Sequence, residues 1–99
     1  MAGYAFCESG ILRGAFEYQG QKCSACSRVM VDASVYDEFL EKLLDVSRPI
    51  TQGDPADLKN YMGPVIDKKA FDKIMSYMDV GKQEGRLVLG GDGDDSVGY

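Results

Sequence analysis

Residues 18–28 read YQGQKCSACSR. This stretch holds two of the chain's three cysteines and permits three chemistries. Cys23 is a nucleophile, half of a redox or metal pair with Cys26, or a small buried residue. Each option demands a different context, so the flanking sequence has to separate them. A thioredoxin-type C-x-x-C follows a strand and opens a long helix. Here a helical period precedes the pair and a short apolar run follows it, the reverse order. A structural zinc needs four ligands, and the chain has no histidine and only Cys7 to spare, so no metal site is expected. Packing as a small apolar residue is what most free cysteines do. Against that stands Gly20-Gln21-Lys22, a polar, cationic, turn-forming neighbourhood of the kind that favours thiolate. Cys7 and Cys26 have apolar or small neighbours and are expected to be packed. Lys22 either adds positive potential at Cys23 or is simply a solvated cation.

Upstream, apolar positions at Tyr4, Cys7, Ile11, Leu12, Ala15 and Phe16 recur with a helical period over 4–18. Gly10 and Gly14 weaken that helix by about 1 kcal/mol each relative to alanine, which marks either close packing there or a flexible, frayed helix at a terminus. Gly20 is placed to close it in the left-handed conformation. Downstream, residues 28–31 (RVMV) read as a short buried strand. Asp32-Ala33-Ser34 then signals a helix start. Residues 35–46 form the second helix, with Val35, Phe39, Leu40, Leu43 and Leu44 inward and Asp37, Glu38, Glu41 and Lys42 outward.

Residues 47–65 show no period and contain all three prolines. A loop near 19 residues inside a small domain points to function or to packing against something larger. Asp67 is placed to cap a third helix, with Ile66 and Phe71 at hydrophobic-staple positions. Its stripe runs through Phe71, Ile74, Tyr77 and Met78 to a stop at Gly85. Residues 86–89 (RLVL) read as a second short strand, and GDGDDSVGY is a polar, turn-rich tail. Two short strands make no independently stable sheet. The expected fold class is therefore α/β, a partial open α/β domain in the order helix, Cys loop, strand, helix, long loop, helix, strand.

The composition is that of a soluble globular chain, with 44% hydrophobic and 27% charged residues. Sixteen acidic against eleven basic residues give a net charge of −5. Nucleic acid is not an expected partner, because phosphate binding needs a basic face. No apolar run approaches the ~18 residues of a membrane span, and Glu8 interrupts any export signal, so no membrane partner is expected. Three cysteines suit a reducing compartment, and a cytoplasmic setting is expected (the mitochondrial matrix for a eukaryotic source).

FEYQGQKCSACSR resembles the active-site cysteine segment of the aldehyde dehydrogenase superfamily, an aromatic or apolar residue followed by G-Q-x-C. Phe16 precedes Gly20-Gln21-Lys22-Cys23 at the expected spacing, and SACSR is closest to the 1-pyrroline-5-carboxylate (glutamate semialdehyde) dehydrogenase branch. YDEFLEKLL, QGDPAD, MGPVIDKKAFDKIMSYMDVGKQEGRLVLGG and the final GY continue the likeness in order and spacing. The resemblance implies that residues 1–99 are a single fragment of a catalytic domain with no cofactor-binding domain. It implies Cys23 as the nucleophile that attacks an aldehyde, through a thiohemiacetal and then a thioester, with NAD as cofactor of the parent enzyme. It implies that the Cys23 backbone N–H donates to the oxyanion and that Ser24 helps hold the substrate's polar end, unless its hydroxyl serves nearby backbone instead.

Several family parts are absent from these 99 residues. There is no ELGG-type stretch with the general base, no upstream oxyanion-hole asparagine, and no G-x-G-x-x-G after a strand. The E-x-F-G-P segment and the carboxylate-anchoring loop are missing as well. Glu17 and Glu84 sit on helical patterns with the look of solvated faces and are not expected to replace the base. The isolated chain is therefore expected to be inactive and, with three amphipathic stripes, to self-associate. The alternative is a small non-enzymatic assembly or regulatory protein that keeps this piece of fold.

Overall fold

A computed structural model describes residues 2–99, with side chains described from Cys7 onward. The chain divides into two units, Met1–Gly63 and Pro64–Tyr99.

In the first unit, α1 spans Ala2–Phe16 and α2 spans Tyr36–Ser47, and the two helices pack on each other. Asp32 caps the 3-10 turn that leads into α2, whose own N-cap, Val35, makes no side-chain cap. The Asp32 carboxylate accepts from the Ser34 N–H at 2.9 Å and the Ser34 hydroxyl at 2.6 Å, closing a 3-10 turn at Ala33–Val35. Those hydrogen bonds hold the Asp32 carboxyl below its ordinary 3.8. The α2 stripe faces inward as its spacing predicts: Phe39 is the deepest apolar side chain at 9% exposed, and Leu40, Leu43 and Leu44 are half-buried. Burying Phe39 contributes about 1.5–3 kcal/mol. On the outer face Lys42 pairs with Glu38 at 2.6 Å, an i,i+4 contact.

The inward face of α1 differs from expectation at both ends, and Phe16, expected inward, is 40% exposed. Cys7 is exposed and Glu8 is buried, at 1% exposed. Glu8, Ile11, Leu12 and Ala15 lie at i, i+3, i+4 and i+7, a single helix face, and Cys7 is a quarter-turn off it. Tyr4, the first member of the expected stripe, lies outside the described side chains. Close packing is found at one of the two helix glycines. A side chain on Gly14 would touch Cys26 at 3.6 Å, whereas Gly10 faces open space.

After α2 the long loop folds onto itself. The Thr51 carbonyl accepts from Tyr61 and Met62 N–H at 3.0 and 3.1 Å, and the Thr51 hydroxyl donates to Lys59 O at 2.7 Å. Gly53 N–H donates to Met62 O, making one isolated parallel bridge between Gln52 and Met62. Asp54 and Asp57 each accept from a backbone N–H two residues on, the Asx turn that favours aspartate in loops. The loop has no period because its order comes from local polar contacts. Leu58 at its tip is 99% exposed.

In the second unit, α3 spans Lys68–Glu84. Asp67 caps it, accepting from Ala70 N–H at 2.7 Å, as the sequence predicts. The staple does not close: Ile66 stays 83% exposed. Tyr77 is exposed too, and Met75 takes its place beside Phe71, Ile74 and Met78 on the half-buried face. The tail folds back on α3. Tyr99 stacks at a tilt on Phe71, ring centres 6.4 Å apart, and its carbonyl accepts from Val65 N–H at 2.7 Å. Gly93 sits so close to Phe71 and Met75 that a side chain there would meet them at 2.9 and 2.7 Å.

The two expected strands are not formed. Residues 28–31 and 86–89 make no ladder, and the described residues contain no strand. A strand exists only against a neighbour that takes its N–H and C=O groups. Neither unit supplies one, and Met30 is left 97% exposed. The described residues are helical, and they do not by themselves bear out the α/β description.

Candidate active site

The cysteine loop begins where α1 ends. A 3-10 segment at Glu17–Gly20 follows Phe16, and within it Tyr18, Gln19 and Gly20 all have positive φ, 53°, 58° and 72°. Glycine takes that conformation freely, but for Tyr18 and Gln19 it costs about 1–2 kcal/mol each. Gly20 has a second reason to be glycine, because a side chain would come 2.9 Å from the Ala15 carbonyl. The sequence marks Gly20 as a left-handed helix end, and nothing in it marks the two residues before.

The chain then turns once more. Ala25 N–H donates to Lys22 O at 3.2 Å, so Cys23 and Ser24 are the two central residues of this turn. Cys26 N–H donates to Gly14 O at 2.8 Å, and this bond fastens the far side of the turn to α1. Cys23 and Ser24 are both exposed. Among the described residues no acceptor takes the backbone N–H of either, and the Ser24 hydroxyl has no partner. The turn thus holds an exposed cysteine beside two backbone N–H groups that no described acceptor takes, groups of the kind that nucleophilic catalysis uses.

Cys26 is half-buried, and its thiol lies 3.6 Å from the Arg28 carbonyl. Its packed character agrees with its small neighbours, and the three cysteines are free thiols. Lys22 is exposed, as expected of a solvated cation, and its ammonium is engaged with Glu17. Its ammonium is 2.6 Å from Glu17 Oε2 and 5.0 Å from the centre of the Tyr18 ring. The hydrogen bond from Lys22, then its charge, holds the Glu17 carboxyl below its ordinary 4.5. Glu17 is occupied as an ion-pair partner, and Glu84 is an exposed residue at the end of α3. Among the described residues no group of three or more Cys, Asp, Glu or His side chains could hold a metal ion. No helix of the described residues is long and apolar enough to cross a membrane.

One buried polar group was not singled out by the sequence. Both carboxylate oxygens of Glu8 lie buried without a hydrogen-bond partner among the described residues. Its spacing from Ile11, Leu12 and Ala15 is the signal that could have placed it inward.

Residues 7–99 match the model of the aldehyde dehydrogenase family. The chain is 57% identical over 89 residues to 1-pyrroline-5-carboxylate dehydrogenase 1 of Halalkalibacterium halodurans, covering 90% of this chain and 17% of that one. It is 50% identical over 91 residues to the 1-pyrroline-5-carboxylate dehydrogenase of Bacillus subtilis, covering 92% and 18%. The crystal structure of a Thermus 1-pyrroline-5-carboxylate dehydrogenase with bound NAD superposes on 97% of this chain and 18% of its own, with TM-score 0.89 and 36% identity. A Staphylococcus aureus betaine aldehyde dehydrogenase in complex with NAD+ covers 95% of this chain and 19% of its own, with TM-score 0.85 and 38% identity. The chain thus spans less than a fifth of the length of these relatives. With a family match running from Cys7 through the cysteine turn to Tyr99, the chain belongs to the aldehyde dehydrogenase family.

Proposed function

We propose that these residues are the cysteine-bearing part of the catalytic domain of a 1-pyrroline-5-carboxylate dehydrogenase, which oxidises glutamate semialdehyde to glutamate. The observation that carries the proposal is the exposed Cys23 thiol at the head of a turn with two unclaimed backbone N–H groups. The thiolate of Cys23 adds to the aldehyde carbon and forms a C–S bond, and the carbonyl oxygen becomes an alkoxide. The Cys23 N–H donates to that oxygen and stabilises the charge as it develops. The unpartnered Ser24 hydroxyl is free to take a polar group of the substrate, and the relatives' substrate class supplies one in its carboxylate. Water finally attacks the thioester and frees the Cys23 thiol.

NAD, held by other parts of a longer enzyme, would supply the hydride acceptor that the oxidation needs. We read no site for it among these residues. No G-x-G-x-x-G follows a strand in these 99 residues. One cleft, lined by Met78, Lys82, Arg86 and Leu87 among others, measures about 260 Å³, below the roughly 300–1,000 Å³ of ordinary small-molecule sites. NAD binding and the hydrolytic base therefore belong, on this proposal, to other parts of a longer enzyme. The same parts would supply strands beside 28–31 and 86–89, completing an α/β domain. A cytoplasmic setting suits a nucleophile that must stay reduced.

The test is a chimera in which residues 7–99 replace the matching segment of the Bacillus subtilis relative. NADH formation from glutamate semialdehyde, lost on Cys23→Ala, is the expected result. A folded chimera without activity, or activity that survives Cys23→Ala, would sink the proposal.

A further inference from the structure

We propose that Gln19 is a positioning residue for Cys23, tying the left-handed turn before the cysteine to the backbone of Gly63 at the end of the long loop. The functional meaning of this tether rests on Cys23 being the nucleophile, but its geometry stands without that reading. The Gln19 side chain is half-buried. Its amide satisfies both ends in one orientation, the one the hydrogen-bond network assigns. In that orientation Nε2 donates to Tyr18 O at 3.2 Å and Oε1 accepts from Gly63 N–H at 2.9 Å. The fit at Gly63 is close: a side chain there would come 3.6 Å from the Gln19 amide and 3.5 Å from Pro55.

Three observations make this contact more than a loop decoration. Tyr18 and Gln19 are non-glycine residues with positive φ, a conformation that persists only when surrounding structure holds it. The Tyr18 carbonyl is the hub of the turn, since Gln21 N–H also donates to it at 3.1 Å and the Gln21 side chain at 3.3 Å. The cysteine turn has one other anchor, the Cys26 N–H to Gly14 O bond on its far side. Gln19 is the matching anchor on the near side. It connects the strained turn to the 51–62 segment, itself hydrogen-bonded through Thr51, Gly53 and Met62. The long loop then has a role: it fixes where Cys23 is presented.

The test uses the 1–99 chain with two readouts. One is hydrogen exchange of the Gly63 amide; the other is the Cys23-to-Cys7 ratio of iodoacetamide alkylation rates, followed across pH. Gln19→Met keeps length but removes both hydrogen bonds. It should speed Gly63 exchange about tenfold, the loss of one hydrogen bond, and shift the alkylation ratio and its pH profile. Gln19→Glu still accepts from Gly63 N–H, so it should keep Gly63 exchange within about twofold of the parent, less than half of one hydrogen bond. Unchanged Gly63 exchange and an unchanged ratio in Gln19→Met would overturn the proposal. If Gln19→Met does not fold, Gln19→Glu decides: slow Gly63 exchange with a retained ratio supports the tether, and loss of both overturns it. Neither readout involves an aldehyde, so an inactive chimera beside an intact tether would sink only the catalytic reading.

Discussion

Lys22 reaches back across five residues to Glu17, its ammonium 2.6 Å from the carboxylate, and the pair brackets the left-handed turn ahead of Cys23. The partner lowers the Glu17 pKa, so the folded value lies below the ordinary 4.5. A depressed carboxyl contributes its interaction above the unfolded pKa and loses it as pH falls through the folded one. The ion pair is therefore intact near neutrality and breaks only in acid, below pH 4.5. Carboxyl carbon shifts followed by NMR should give Glu17 a midpoint below 4.5, and Lys22→Met should raise it. An unmoved midpoint in that variant would show the contact absent in solution. Both groups are exposed, so little effect on global stability is expected.

Glu8 makes a different prediction, because its carboxylate is buried without a partner among the described residues. Leaving a buried polar group unsatisfied costs about 1–3 kcal/mol, more when charged, and an apolar side chain of similar shape removes that cost. Glu8→Met should raise the urea midpoint of the chain by an amount in that range. A fall in the midpoint would mean that the carboxylate finds donors in solution.

At the other unit, the Asp67 cap on Ala70 N–H should matter locally. Removing an N-cap side chain costs about 1 kcal/mol, roughly a fivefold change in a local opening equilibrium. Asp67→Ala should therefore quicken exchange of the Ala70 amide about fivefold, whereas Asp67→Ser should largely preserve its protection. Equal exchange in the parent and Asp67→Ala would count against the cap.

The 99-residue chain by itself should form no NADH from glutamate semialdehyde. On the proposed reading it holds the nucleophile, while the dinucleotide site and the hydrolytic base lie in other parts of a longer enzyme. Turnover above a Cys23→Ala control would contradict this.

The same chain should associate with itself. Met30, Leu58 and Ile66 lie open, and residues 28–31 and 86–89 have backbone groups outside any ladder. Exposed apolar patches and unpaired edges drive pairing between copies. Light scattering over a concentration series should show mass rising with concentration. A monodisperse monomer at high micromolar concentration would defeat the prediction.

What the sequence determined by itself is what depends on neighbours along the chain. The α2 stripe, the Asp32 and Asp67 caps, and the end of α3 at Gly85 rest on contacts within a few residues. Their spacing in the sequence is their spacing in space. The cysteine motif is local too, which is why YQGQKCSACSR pointed to its family before any coordinates. Tertiary structure decided the rest. Whether 28–31 and 86–89 become strands depends on distant partners for their backbone groups, and an apolar run cannot announce whether those partners are present. Whether Cys7 or Glu8 faces inward depends on how α1 is rotated against α2, a choice one residue wide. The left-handed Tyr18 and Gln19 are the furthest from legible. Neither residue type favours that conformation, and it is held by groups brought in from elsewhere, among them the Gly63 N–H more than forty residues along the chain.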